Sequence, residues 1–143
     1  MNHLSLLDKT FKANMEVKTM FKIKSIFEPS EEEDGFRILI DKFWPEGLKK
    51  ETKVDLWLKE ITPTRDIDEW PEDDPERFEK FKEQYRQELR GKKTLIKIVR
   101  DFEQKQGIVT FLHCAKHPDH NAAAILRDKL SGYRIIVHSS RSS

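Results

Sequence analysis

The chain of 143 residues has only one cysteine, Cys114, which excludes an internal disulfide. A lone cysteine is typical of proteins from a reducing compartment, so we expect a cytoplasmic location. No apolar run approaches the roughly 18 residues that a membrane-spanning helix needs. The first twenty residues lack the apolar stretch and the cleavage site of a signal peptide. We therefore expect no membrane association.

The chain also lacks an excess of charge of either sign. Lysine and arginine number 27, aspartate and glutamate 26, and the formal net charge is +1. Without a net positive field to attract phosphates, the composition disfavours a nucleic-acid partner. Hydrophobic residues still make up 36% of the chain, which is enough for the core of one ordinary domain.

Hydrophobic periodicity begins at Phe21. Residues 1–20 are therefore predicted to be an N-terminal extension, with disorder left open, and residues 21–143 a single domain. Alternation or dense β-branched apolar residues predict strands at 21–27, 36–41, 108–112 and 134–138. Apolar residues at helical spacing predict a short helical piece at 54–61 and longer helices at 75–90, 93–106 and 122–130.

Three features connect these elements. The acidic segment 28–35 is predicted as a hairpin turn or loop, and 66–76 as an acidic loop that ends with Asp74 capping the next helix. Residues 108–138 run strand, loop, helix, strand, which requires a parallel right-handed crossover. The predicted class is α/β, with a small, mostly parallel sheet of about four strands flanked by helices.

The carboxyl ends of two predicted strands carry polar and ionisable residues. Asp41 to Pro45 follow one strand, and residues 113–121 follow another and lead into a helix that Asn121 is predicted to cap. In α/β sheets ligands bind beyond such strand ends, and a helix N-terminus favours an anion. We predict a small anionic or nucleotide-like ligand here, held by Asp41, Lys42, Trp44, Lys116 and Asn121.

Catalysis at this pocket stays open, and so does the identity of any cofactor. The candidate catalytic residues are Cys114, His117, His120 and Asp41. A cysteine before a helix N-terminus is a potential nucleophile, and a nearby histidine a proton-transfer group. The C-x5-R phosphate loop of cysteine-dependent phosphatases is absent, because His120 stands where that pattern needs arginine.

Two alternative functions remain open. The first is a metal site, because His113, Cys114, His117 and His120 offer ligands that suit zinc, although no second ligand pair follows them. The second is a protein-interaction module in which the acidic loop 66–76 and an exposed Trp70 bind a basic partner. The sequence does not indicate an oligomeric state.

Four stretches resemble the YeaO-like branch of the domain-of-unknown-function 488 family. They are GFRILIDKFWPEGL (35–48), DLWLKEITPT (55–64), DDPERFEKFKEQYRQEL (73–89) and VTFLHCAKHPDHNAAAIL (109–126). The resemblance covers about residues 20–130 and implies a fold and a site at the two strand ends above, but no reaction. The family's distinctive positions correspond to Asp41, Trp44, Pro45, Gly47, Asp55, Trp57, Tyr85 and Asn121.

Three positions depart from the family's pattern. Lys42 and Glu46 stand where the motif has arginine, and Ala122 stands where it has histidine, with His120 as an offset substitute. Lysine keeps the positive charge of arginine but loses its bidentate fork. These departures weaken the anion-binding role that the resemblance alone would imply.

Overall fold

Four parallel strands form the centre of the structure, a computed structural model that describes residues 20–131. The predicted strand at 134–138 and residues 1–19 lie outside the described residues. The strands are β1 (Met20–Ser25), β2 (Phe36–Leu39), β3 (Leu56–Trp57) and β4 (Ile108–His113). The helices are α1 (Arg77–Arg90), α2 (Lys93–Gln106) and α3 (122–131). Short 3-10 turns occupy Glu32–Asp34, Lys59–Ile61 and Ile67–Glu69.

The strand order is β1-β4-β2-β3, so β4 lies between the two strands that come first in the chain. β1 pairs with β4 over its whole length, from Met20 opposite Ile108 to Ser25 opposite His113. β2 pairs with β4 on the other side, and all pairs are parallel. The small parallel α/β sheet is therefore confirmed. The hairpin alternative for residues 28–35 is wrong, because this segment crosses over between parallel strands that are not neighbours.

The segment 54–61 differs from its prediction as a helical piece. Leu56 and Trp57 form a two-residue strand beside β2, and Lys59–Ile61 make a single 3-10 turn. A run this short cannot complete enough helical hydrogen bonds to offset the cost of starting a helix. The free edge of β2 instead offers backbone partners, and Leu58 donates its N–H to the carbonyl oxygen of Leu39 at 3.0 Å.

The described helices pack against one face of the sheet. Alternate strand residues point to this face, among them Phe21 and Phe111, whose rings stack with centroids 5.3 Å apart. They share one core cluster with residues of α1, α2 and α3. A smaller cluster on the opposite face joins Ile26, Leu39 and Leu112 to loop residues. Within residues 20–131, no helix is long and apolar enough to cross a membrane.

Helix α1 was predicted from apolar residues at helical spacing, and the structure confirms this helix. Phe81, Tyr85 and Leu89 are all buried at spacings of four residues. The helix begins at Arg77, two residues later than predicted. The carboxylate of Asp74 nevertheless accepts the backbone N–H of Glu76 at 2.8 Å, so it still satisfies a free donor at the helix start.

A buried ion pair fixes the crossover between β1 and β2. Arg37, only 1% exposed, donates from Nη1 to the carboxylate of Asp34, which is 2% exposed. The same carboxylate accepts Lys24 Nζ at 3.1 Å and the Glu31 N–H at 3.0 Å. Burial alone would raise the pKa of Asp34, but these hydrogen bonds hold it below its ordinary value. Asp34 is therefore ionised at neutral pH.

The residue after Asp34 must be glycine. Gly35 has φ +65°, and a Cβ at this position would collide with the backbone carbonyl oxygen of Ile108. Thr110 Oγ1 donates to the carbonyl oxygen of Asp34 at 2.6 Å. The crossover therefore lies directly against β4, and a side chain at position 35 would force the two apart.

Replacing Asp34 with asparagine should destabilise the protein strongly. In D34N the buried Arg37 guanidinium loses its compensating charge, and we expect a loss of about 3 kcal/mol in the free energy of unfolding. The matched control is E32Q, which removes an exposed carboxylate from the same turn. It should cost less than about 0.5 kcal/mol. Urea unfolding measures both, and equal effects of D34N and E32Q would contradict this role of the ion pair.

Candidate functional site

The two predicted strand ends are neighbours. β2 and β4 pair in parallel, so Asp41 and Cys114 lie at the same edge of the sheet. The N–H of Ile40 donates to the carbonyl oxygen of Leu112 at 2.9 Å and continues the ladder to this edge. The carboxylate of Asp41 lies close enough to the Cys114 thiol for its negative charge to act on that group. Two candidate catalytic residues are thus brought close together.

This proximity makes Cys114 a poor nucleophile. Burial, and then the negative charge of Asp41, raise the pKa of the Cys114 thiol to about 12. The thiolate is the reactive form of cysteine, and at neutral pH it is almost absent. The arrangement is the reverse of a catalytic cysteine, which needs positive charge nearby. The geometry therefore gives no support to Cys114 as a nucleophile.

Alkylation of Cys114 should therefore be slow in the native protein. With iodoacetamide at pH 8 we expect a rate about 100-fold or more below that of the urea-unfolded chain. D41N should increase the native rate, because it removes the charge that stabilises the protonated thiol. Mass spectrometry follows the reaction at the chain's only cysteine.

The matched control for D41N is E46Q, which removes an exposed carboxylate from the same loop. E46Q should leave the alkylation rate unchanged. Rapid alkylation of the native wild-type protein, or equal rates for D41N and E46Q, would contradict the pairing of Asp41 with Cys114.

His113, the last residue of β4, is a buried and neutral hydrogen-bonding group. It is 6% exposed, and burial lowers the pKa of its imidazole although Glu28 and Asp41 oppose that shift. Its Nδ1 accepts the N–H of Ala115 at 3.2 Å. A neutral ring that accepts at Nδ1 carries its proton at Nε2, so His113 can donate one further hydrogen bond.

The other two loop histidines lie elsewhere. His120 stacks on Phe78 of α1 with ring centroids 4.1 Å apart, and His117 stacks on His120 at 5.6 Å. The four candidate metal ligands are thus divided between the end of β4 and the surface of α1. Among residues 20–131, no three histidine, cysteine, aspartate or glutamate side chains are grouped so that they could hold a metal ion. The described residues give the metal alternative no support.

Asn121 caps helix α3 as predicted, and its amide is engaged within the protein. Its Oδ1 accepts the N–H of Ala124 at 2.9 Å. Its Nδ2 donates to the carbonyl oxygens of His117 at 2.7 Å and Pro118 at 3.0 Å. The buried side chain therefore folds the loop back onto the helix start. Its contribution to a ligand site would be to shape the loop that carries Lys116.

Two further predicted ligand residues lie away from Lys116. Lys42 donates from Nζ to the carbonyl oxygen of Thr64 at 2.6 Å. Trp44 is 49% exposed and packs edge to face on Trp57 at 5.5 Å between centroids. Neither residue lines the cleft described next.

A cleft of about 490 Å³ opens at the carboxyl ends of β1 and β4, beside the start of α3. This volume is in the range of small-molecule sites. Its lining residues are Ile23, Lys24, Ser25, Glu28, His113, Ala115, Lys116, Pro118, Asp119 and Arg127. The cleft therefore lies on the β1 side of β4, whereas the predicted residues Asp41, Lys42 and Trp44 lie on the β2 side.

Sequence reasoning missed Ser25, Glu28 and Arg127 as parts of this cleft. A signal for Glu28 was present, since it directly follows the predicted strand at 21–27, whereas Ser25 lies inside that predicted strand and is the last residue of β1 only in the structure. Their relevance depends on β1 being the neighbour of β4, and this strand order cannot be read from the chain. Arg127 lies in the second turn of α3 and comes to the cleft only through the packing of that helix.

The charges around the cleft are not equally available. Lys24 is bound to Glu31 and Asp34. Arg127 Nε contacts Asp128 at 3.0 Å on the surface, a pairing that is weak in water. Within the described part of the chain, Lys116 and Asp119 form no ion pair and no side-chain hydrogen bond. Among residues 20–131, the exposed side chains of Lys116 and Asp119 are therefore available to a ligand.

In the acidic loop 66–76, Trp70 is less accessible to a partner than the protein-interaction alternative requires. Trp70 is half-buried against the core and covered by the guanidinium of Arg65, 4.2 Å above its ring, so its prediction as exposed is wrong. Asp74 pairs with Lys80 at 2.7 Å and Asp68 contacts Arg77 at 3.6 Å. Two of the seven acidic side chains of this loop are thus paired with a cation among the described residues.

The fold and cleft define a small parallel α/β protein with a ligand-sized site at the carboxyl edge of its sheet. A family model described as "Inactive DUF488-N3 subclade" matches residues 20–135, most of the chain. The chain belongs to this DUF488 family, as its sequence motifs predicted.

Two relatives show the extent of the similarity. The uncharacterised protein YeaO of Escherichia coli is 37% identical over 108 residues, which cover 75% of this chain and 93% of YeaO. An uncharacterised protein of Mycobacterium tuberculosis is 29% identical over 116 residues, which cover 80% of this chain and 97% of the relative. No solved structure shows a significant match.

Several residues of the family motif make internal contacts. Asp55 accepts the N–H of Arg37 at 2.8 Å, and Trp57 Nε1 donates to the carbonyl oxygen of Asp41 at 2.7 Å. The hydroxyl of Tyr85 donates to the carbonyl oxygen of Ile61 at 2.8 Å. These side chains join loops to the sheet and to α1. These three motif residues therefore have structural roles in the fold.

Proposed function

We propose that this protein binds a small anionic or nucleotide-like ligand in the cleft between β1, β4 and the start of α3. The observation that carries the proposal is the position of Lys116, whose ammonium lines the cleft with no carboxylate paired to it in residues 20–131. An unpaired cation at the wall of a ligand-sized cavity favours an anion.

Two neighbouring features support the same ligand charge. Arg127 lines the cleft and can exchange its exposed contact with Asp128 for an anionic ligand. The loop 115–121 leads into the N-terminus of α3, where the helix dipole and free N–H groups favour negative charge. The neutral His113 adds a hydrogen-bond donor without adding charge.

Binding without turnover fits the site better than catalysis. The Cys114 thiol is held in its protonated form, and the subclade that matches the chain is described as inactive. We propose that the protein acts in the cytosol as a single α/β domain formed by residues 21–143, a setting that suits its lone cysteine.

Neutralising Lys116 should weaken anion binding. Each charge-assisted hydrogen bond is worth about 1.5–3 kcal/mol, so K116Q and R127Q should each weaken binding of inorganic phosphate about tenfold or more. Isothermal titration calorimetry measures the affinity, and the rise in Tm on adding phosphate provides a second readout.

The matched control is K97Q, which removes an exposed positive charge from α2 and lies away from the cleft. It should bind phosphate as the wild type does. The proposal is wrong if neither phosphate nor sulfate raises the Tm of the wild-type protein, or if K97Q and K116Q weaken binding equally.

A further inference from the structure

The cleft contains charges of both signs, and this constrains the ligand further. Asp119 and Glu28 line the same cavity as Lys116 and Arg127. Glu28 accepts the N–H of Ser25 at 2.8 Å, whereas Asp119 forms no hydrogen bond or ion pair within the described residues. Both Lys116 and Asp119 are exposed. A bare anion beside Lys116 would be repelled by the Asp119 carboxylate. A ligand that carries hydrogen-bond donors as well as negative charge would instead contact both residues favourably.

The volume and the lining residues of the cleft also favour a ligand that is more than a bare anion. A volume of about 490 Å³ is far larger than a single phosphate group requires. Ile23, Ala115 and Pro118 supply apolar surface between the polar residues. A wall of this kind suits the flat face of a sugar ring or a base. The volume and lining of the cleft therefore favour a phosphate ester of a larger group over a free ion.

Hydroxyl groups of a ligand match the carboxylates that line the cleft. A carboxylate has two acceptor oxygens and can receive both hydrogens of a vicinal diol, as acidic side chains do with ribose hydroxyls in dinucleotide-binding α/β folds. His113 has one Nε2–H to donate and contributes no positive charge when neutral. The cleft thus offers hydrogen-bond acceptors as well as cations.

Given the anion binding proposed above, we propose that the ligand is a phosphate ester bearing a vicinal diol, a sugar phosphate or ribonucleotide. Its phosphate is bound by Lys116 and Arg127, and its diol by the carboxylate of Asp119. Asp119 is then the residue that distinguishes such an ester from inorganic phosphate.

Calorimetric titration of the full chain with four probes tests this assignment. The probes are inorganic phosphate, ribose 5-phosphate, AMP and 2′-deoxy-AMP. We expect ribose 5-phosphate to bind at least tenfold more tightly than phosphate, and AMP more tightly than 2′-deoxy-AMP. D119N should remove both preferences while phosphate binds as well as before or better, because a repelling charge is gone. The control D101N, an exposed carboxylate of α2, should change none of these affinities.

The outcomes separate this inference from the proposed function. If none of the four probes binds, the anion site itself is wrong. If phosphate binds and the esters bind no more tightly, or if D119N weakens phosphate and ribose 5-phosphate equally, only the diol assignment is overturned. Phosphoethanolamine distinguishes an ammonium partner for Asp119, and tighter binding of it than of ribose 5-phosphate would also overturn the diol assignment.

Discussion

The buried carboxylate of Asp34 holds the sheet in the arrangement from which the cleft follows. It binds Arg37 of β2, Lys24 of β1 and the turn between them, and the carbonyl oxygen of Asp34 accepts the hydroxyl of Thr110 in β4. One residue thus contacts three of the four described strands. Because the crossover is fixed in this way, β4 lies between β1 and β2, and its carboxyl end faces a different neighbour on each side.

These two sides have different chemistry. On the β2 side, the carbonyl oxygen of Asp41 accepts the indole N–H of Trp57. Burial and the negative charge of Asp41 keep the Cys114 thiol protonated and therefore unreactive. On the β1 side, the loop that Asn121 folds back carries Lys116 and Asp119 to a cavity with their charges uncompensated in the described residues. The binding proposal concerns the β1 side alone, because these two charged side chains have no partner among the described residues, whereas the polar groups on the β2 side are engaged within the protein.

Local sequence signals predicted the elements well. The spacing of Phe81, Tyr85 and Leu89 identified α1, and the position of Asn121 identified the cap of α3, because both depend on neighbours within one or two helical turns. The prediction at 54–61 was wrong because Leu56 and Trp57 take their partners from β2, a contact that no local pattern encodes. The two strand ends that carry Asp41 and Cys114 are neighbours, although the sequence did not determine the strand order. The cleft was displaced from its predicted side because strand order brings Ser25 beside His113 across almost ninety positions of chain.

The central claim is that an anionic group binds at the β1–β4 edge, between Lys116 and the start of α3. The most direct measurement is an NMR titration of the isotopically labelled protein with inorganic phosphate, followed through its backbone amide signals. The account predicts the largest saturable shifts at Ser25 and in residues 113–124, with little change in β3 and α2. Shifts centred on Lys42 and Trp44, or no saturable shift at all, would contradict it.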